Sequence, residues 1–180
     1  MALSQPVVSW FDDTNTFQRT EWDAGIVDAG GESPATIFLV WNNRNPSTTV
    51  ANTAIADMID VTITTKSYPA GDNTGVVATK SDAVVYVQFF DSTKPSGGEW
   101  GSYKEATGVW TKDWWEDIGG DDTTPVVSCA GGFKTISGAA NYRDANVDKA
   151  NYAKVKLKLA AKGSAGAGQV EWLTRIAYRY

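Results

Sequence analysis

Apolar and polar residues alternate along much of this chain with the two-residue period of a β-strand. Residues 58–65 place isoleucine and valine at odd positions, which predicts a strand with one face in the core. Residues 36–41 and 83–90 are apolar on both faces and rich in β-branched and aromatic side chains, which predicts strands covered on both sides. A shorter apolar run, residues 6–10, is closed by the turn-forming residues 12–15, Asp-Asp-Thr-Asn.

The last thirty residues carry the cleanest alternation. In residues 152–160 the side chains of Lys154, Lys156 and Lys158 share one face and apolar side chains the other. A turn rich in glycine and alanine follows, and residues 169–180 alternate again. The pattern predicts a β-hairpin whose two faces differ in chemistry.

Residues 94–146 differ in character from the rest, because glycine and aspartate become frequent and apolar runs become short. We interpret this stretch as a loop-rich insertion in a single domain spanning residues 1–180, with 126–128 and 133–136 as its strand fragments. Repeated strands without helical periodicity predict an all-β fold, an antiparallel β-sandwich. The predicted core comprises Ile37, Leu39, Trp41, Ile59, Val61, Ile63, Val85, Val87, Val155, Leu157, Trp172 and Ile176.

Composition narrows the possible functions. The 180 residues include 16 basic and 21 acidic side chains, a net charge of −5, which disfavours nucleic acid as a partner. Neither a signal peptide nor an apolar run long enough to span a membrane is visible, so we expect a protein made in the cytoplasm that does not bind membranes.

The absence of histidine and the presence of only one cysteine limit the catalytic and metal-binding chemistry open to this chain. The chain has no histidine and a single cysteine, Cys129, which removes imidazole bases, intrachain disulfides and cysteine-held metals. No basic residue adjoins Cys129, so we interpret it as a buried apolar side chain and not as a reactive thiol. We expect no catalytic residue, no cofactor and no bound metal.

Two groups of segments resemble known families. Residues 22–30 (WDAGIVDAG), 36–44 (TIFLVWNNR) and 61–64 (VTIT), with the strand 152–159 (YAKVKLKL) and the turn 165–168 (AGAG), are similar to bacterial immunoglobulin-like sandwiches. The opening residues 1–4, residues 8–15 (VSWFDDTN) and residues 41–44 (WNNR) resemble small structural proteins of tailed phages and prophages of Gram-positive bacteria. Residues 94–146 are outside this resemblance.

The resemblance implies a non-enzymatic structural protein of a phage virion or phage-like particle. It would decorate the head surface or belong to the tail or baseplate, and its partners would be copies of itself and other virion proteins. Expected localisation is the virion, after synthesis in the host bacterial cytoplasm.

Tryptophans in the insertion are the most distinctive local feature. Trp110, Trp114 and Trp115 lie close together, and adjacent residues of a strand point to opposite faces, so one ring of the Trp114–Trp115 pair would meet solvent or a partner. Three interpretations stay open: a subunit interface, a platform that stacks on a sugar of a host-surface glycan, or a loop that folds back and covers the rings.

Charged residues near the tryptophans also permit alternatives. The carboxylates of Asp113, Glu116, Asp117, Asp121 and Asp122 fit a solvated acidic loop, whereas a glycosidase pair or a calcium site would need a separation or spacing that sequence does not show. The lysines Lys154, Lys156 and Lys158 either discourage aggregation of an exposed strand or meet an acidic surface of a neighbouring subunit. We therefore predict an interface that combines these three lysines with the three tryptophans.

Overall fold

The computed structural model describes residues 4–104, 106–120, 124–126 and 134–180. Its strands are β1 (Val8–Asp12), β2 (Thr36–Asn42), β3 (Met58–Ser67), β4 (Ala83–Asp91), β5 (Glu99–Lys104), β6 (Val109–Lys112), β7 (Glu116–Asp117), β8 (Thr124–Pro125), β9 (Thr135–Ile136), β10 (Tyr152–Ala161) and β11 (Trp172–Arg179). Two 3-10 turns, Pro95–Gly97 and Lys149–Asn151, are the helical elements within these residues.

The strands form two antiparallel sheets. The larger sheet has the order β1-β2-β10-β4-β5-β6, and β7 pairs with the part of β4 that β5 leaves free. The smaller sheet has the order β11-β3-β8, with β9 also paired to β3. The predicted all-β antiparallel sandwich is confirmed. The segment 94–146 contributes short strands to both sheets: β5, β6 and β7 to the larger, β8 and β9 to the smaller.

The predicted C-terminal hairpin is wrong. Strand β10 lies between β2 and β4 in the larger sheet, while β11 pairs with β3 in the smaller one. Both hydrogen-bonding edges of β10 are therefore occupied, and the next strand can pair only elsewhere. The glycine-rich connection passes from one sheet to the other, so the alternating pattern gave the strands correctly and their pairing incorrectly.

The core fills the space between the sheets. Phe38 and Val40 of β2 face Val61 and Ile63 of β3 in one buried cluster, to which β4 and β10 add further aliphatic side chains. Residues of β4 and β10 in this cluster are Ala83, Val85, Val87, Phe89, Ala153, Val155, Leu157 and Leu159. Trp172 and Ile176 are half-buried against its margin.

A bulge in β3 corrects the predicted core. Asp60 has a positive φ of 51°, and the register with β11 shifts at this point, so Ile59 turns outward and is 43% exposed. Met58 takes the inward position and is fully buried. The prediction of Ile59 as a core residue is thus wrong, because strict alternation assumes that no extra residue interrupts the strand.

A second buried cluster lies on the opposite face of the larger sheet. Leu39 and Trp41, which we predicted in the main core, instead pack here with Phe11 and Tyr152, and Ile37 is only half-buried. The apolar run of β2 is consequently buried on both faces, as the sequence predicted.

Residues 139–151 cover this second cluster and are held by buried asparagines. Asn141 is fully buried; its Oδ1 accepts the N–H groups of Asn45 (3.2 Å) and Arg143 (2.9 Å), and its Nδ2 donates to the carbonyl of Asn43. The Tyr152 hydroxyl donates to the carbonyl of Ala145 at 3.0 Å. Side-chain amides thus satisfy backbone groups that no strand pairs with.

Candidate interaction face

The three lysines of β10 lie on the outer face of the larger sheet, where intrachain partners hold two of them. Lys154 Nζ is 2.5 Å from Asp13 Oδ1, and Lys158 Nζ is 2.8 Å from Glu32 Oε2. Only 28% and 16% of these two lysine side chains are exposed. One face of β10 is therefore aliphatic, and the other carries lysines of which two form ion pairs within the chain.

Lys156 differs from its two neighbours. Its ammonium group lies 4.0 Å from the centroid of the Trp100 ring, a cation–π contact. Among the described residues no carboxylate lies within 4.0 Å of it. Burial lowers the pKa of Lys156 from its usual value, and the nearby Asp113 carboxylate opposes this effect.

Trp114 and Trp115 occupy the connection between β6 and β7. They belong to no strand, so the prediction that they point to opposite faces of one strand is wrong. Trp114 is 40% exposed, its Nε1 donates to Glu116 Oε2 at 2.8 Å, and Lys104 Nζ lies 4.2 Å from its ring centroid. Trp115 is half-buried beside Lys158, whose Nζ is 4.6 Å from its ring. Both rings thus neighbour lysines of the larger sheet.

Trp110 packs on the other side of the sheet. Its ring meets that of Tyr103 edge-on at 5.4 Å and packs against the main core. A Cβ atom added at Gly101 would approach the Trp110 ring to 2.9 Å, so only glycine at that position leaves room for it. Its Nε1 is buried without a hydrogen-bond partner among the described residues. The geometry separates Trp110 from the other two tryptophans of the predicted interface.

Three aromatic residues missed by the sequence analysis complete the surface. Phe90 and Trp100 are cross-strand partners whose rings meet edge-on at 5.4 Å, and Tyr86 lies 5.7 Å from Lys158 Nζ. We call the whole set the aromatic–lysine face. It comprises Tyr86, Phe90, Trp100, Trp114, Trp115, Lys104, Lys154, Lys156 and Lys158. A sequence signal for two of these rings exists: Tyr86 and Phe90 occupy even-numbered positions of β4, whereas its core residues occupy odd-numbered ones. Trp100 is placed beside them by its pairing with Phe90.

The acidic residues of the insertion are dispersed. Asp117 is paired with Lys80, with Oδ1 2.7 Å from Nζ, and Glu116 accepts from the Trp114 indole. Asp121, Asp122 and Cys129 lie outside the described residues, as do 127–128 and 133 of the predicted strand fragments. Within the parts of the chain that the structure describes, no three metal-ligating side chains are grouped so as to hold an ion.

Comparison with known proteins gives no relative on which to base a function. No protein-family model matches the chain, and no curated protein matches it significantly. Across the described ranges, no helix has the length and apolar character needed to cross a membrane.

Proposed function

We propose that this chain is a non-enzymatic structural protein of a phage virion or phage-like particle, and that it assembles with other subunits through the aromatic–lysine face. One observation carries the proposal. Three tryptophans of the insertion, Trp100, Trp114 and Trp115, form one surface with the lysines of β10, which are distant from them in sequence, on the outer side of a continuous sheet. The resemblance of the opening segments to phage structural proteins supports this kind of particle. The resemblance of residues 22–30, 36–44 and 61–64 to bacterial immunoglobulin-like sandwiches supports, as part of the proposal, an immunoglobulin-like form of the sandwich.

The composition of this face suits a protein partner. Aromatic side chains are enriched at protein interfaces, and a partly exposed tryptophan is the residue type that most often dominates binding energy. Here Trp114 supplies the exposed ring, while Trp100 and Trp115 are half-buried beside the ammonium groups of Lys156 and Lys158. Strand pairing and the Phe90 ring hold Trp100, whereas a hydrogen bond to Glu116 holds Trp114, so little conformational entropy is lost on binding.

Incorporation into particles tests the assembly function. Particles are purified from cells that express the wild-type chain, the Trp114→Ala variant or no chain, and are compared by mass spectrometry and negative-stain electron microscopy. We expect wild-type protein in the particles and at least a tenfold loss for Trp114→Ala. The control is Tyr180→Ala, because Tyr180 is an exposed aromatic residue, 63%, that follows β11 of the smaller sheet. Particles that lack wild-type protein and are unchanged in form would refute the proposal.

A glycan-binding module is the second candidate, favoured by the exposed ring of Trp114 flanked by Glu116 and Lys104. An aromatic ring bordered by hydrogen-bonding groups is a chemistry that fits a pyranose. On a glycan array, Trp114→Ala should then abolish binding, while Trp110→Phe, a change on the core side, should preserve it. Binding that persists in Trp114→Ala would exclude this candidate.

A further inference from the structure

A cleft of about 1470 Å³ lies between β1, β2 and β10 of the larger sheet and the first half of β11 in the smaller one. Its floor is aromatic: Trp22 meets Phe38 edge-on at 6.2 Å and Trp172 at 5.5 Å, and Trp10 meets Phe38 at 5.9 Å. This volume exceeds the 300–1,000 Å³, roughly, of small-molecule sites, so the cleft has room for protein side chains.

Residues 20–27 cross this cleft and make few hydrogen bonds to the residues that line it. Among the described residues, no backbone hydrogen bond joins them to a strand. Trp22 anchors them, with Nε1 donating to Thr36 Oγ1 at 3.2 Å. Ile26 is 99% exposed, and Leu173 on the cleft wall is 37% exposed. Apolar surface thus remains accessible around a tryptophan floor.

The rim of the cleft is acidic. Five carboxylates line it, and the single cation among the lining residues, Arg19, lies 3.6 Å from Asp12. The carboxylates are Glu21, Asp23, Asp28, Asp82 and Glu171. Most of the surplus negative charge of the chain is therefore placed around one apolar opening.

A complementary feature lies on the outer face of the larger sheet. The partly exposed ring of Trp114 lies between Lys104, whose Nζ is 4.2 Å from the ring centroid, and Glu116, whose carboxylate accepts the indole N–H. Lys156 is the β10 lysine without an ion-pair partner among the described residues. The ammonium groups of Lys104 and Lys156, each held beside an aromatic ring, are opposite in charge to the carboxylates that line the aromatic cleft.

We infer that the cleft receives the Trp114 region of a second copy of this chain, with Lys104 and Lys156 of that copy against Glu21 and Glu171. The inference rests on the proposed assembly function and adds the partner surface. Because the two contact surfaces differ, each copy offers one of each, and the association is head-to-tail. Such heterologous contacts close into rings or propagate as filaments.

Charge reversal on each surface separately tests this contact. Sedimentation velocity of the full chain at low salt should show association that rises with concentration. Lys104→Glu/Lys156→Glu and Glu21→Lys/Glu171→Lys should each weaken it at least tenfold, and an equimolar mixture of the two variants should restore a complex. Asp144→Lys is the control, because it reverses the charge of an exposed carboxylate that does not line the cleft. It should associate like the wild type.

Three outcomes would overturn the inference: a wild-type chain that stays monomeric up to millimolar concentration, a mixture of variants that does not associate, or an equal loss with Asp144→Lys. A monomeric chain that is nevertheless incorporated into particles through Trp114 would leave the assembly function intact and show that another virion protein is the partner. Loss of both self-association and incorporation would refute both proposals.

Discussion

The two faces of the larger sheet are built from the same strands but are stabilised differently. On the inner face, β4 and β10 present aliphatic side chains and Phe89, all buried against the smaller sheet. On the outer face, the same strands present lysines and rings that stabilise one another by ion pairs and cation–π contacts. Burial of apolar area contributes far more per side chain than exposed charge pairs do, so stability should reside on one face and recognition on the other.

Adjacent phenylalanines of β4 give the strongest test of this difference. Phe89 is fully buried on the inner face, whereas Phe90 is half-buried on the outer face against Trp100. Phe89→Ala should lower the free energy of unfolding by about 3–5 kcal/mol, because it leaves a cavity. Phe90→Ala should cost about 1–2 kcal/mol. Urea unfolding followed by circular dichroism measures both, and equal losses would show that the outer face is as much a core as the inner one.

The covered part of the outer face should be intermediate. Asn141→Ala removes the acceptor of two backbone N–H groups beneath residues 139–151, and we expect a loss of about 1–3 kcal/mol. Asn146→Ala, an exposed change in the same loop, should lie within about 0.5 kcal/mol of the wild type. Differential scanning calorimetry compares the melting temperatures of the two variants with that of the wild type. Similar melting temperatures would mean that the amide network contributes no stability.

A lysine of the uncovered part should contribute little to stability. Lys158→Gln breaks the ion pair with Glu32, whose side chain is 54% exposed, and the expected loss is about 0–1 kcal/mol at low salt. Lys162→Gln, at an exposed position beyond β10, serves as the control. Raising the salt concentration should remove the difference between the two variants. A loss above about 2 kcal/mol would place Lys158 among the core contacts.

The smallest effect concerns acid pH and the turn that follows β1. Burial raises the pKa of Asp12, but hydrogen bonds from the N–H groups of Thr16 and Phe17 and from the Thr14 hydroxyl outweigh it, and the net shift is downward. A carboxyl with a lowered pKa stabilises the fold above its unfolded value, about 3.9, and this stabilisation is lost as the pH falls through the folded pKa. The protection factors of the Thr16 and Phe17 amides against hydrogen exchange should fall there in the wild type, whereas in Asp12→Asn these protection factors should show little pH dependence.

The strands were largely predictable from the sequence, and their partners were not. Alternation in residues 58–65 and 152–160 reports local backbone geometry, which side-chain chemistry determines directly. Pairing depends on which edges are already occupied, and β10 has both edges filled by strands far away in sequence. The Asp60 bulge was equally hidden, because an aspartate with positive φ looks in sequence like any polar residue on the solvent side.

The candidate site was predictable in its parts but not as a surface. Lys154, Lys156, Lys158 and the two adjacent tryptophans stand out by composition alone. Trp110 was predicted with them but packs against the core, whereas Trp100, which lies beside the Lys156 ammonium group, was not predicted. The face of the sheet to which each ring belongs depends on the β4–β5 and β5–β6 registers, which sequence alone does not contain.

The pairing of β11 with β3 also bears on how this chain is made. Trp172 of β11 pairs with Ser67 of β3, so the central strand of the smaller sheet is synthesised long before its longest neighbour. Contacts of such long sequence separation carry an entropic cost of loop closure. Domains dominated by such contacts fold slowly, in roughly milliseconds to seconds. Until β11 has left the ribosome, β3 has an edge without its longest partner, open to other nascent chains. A cell producing many copies at once would therefore gain from a chaperone that covers this edge.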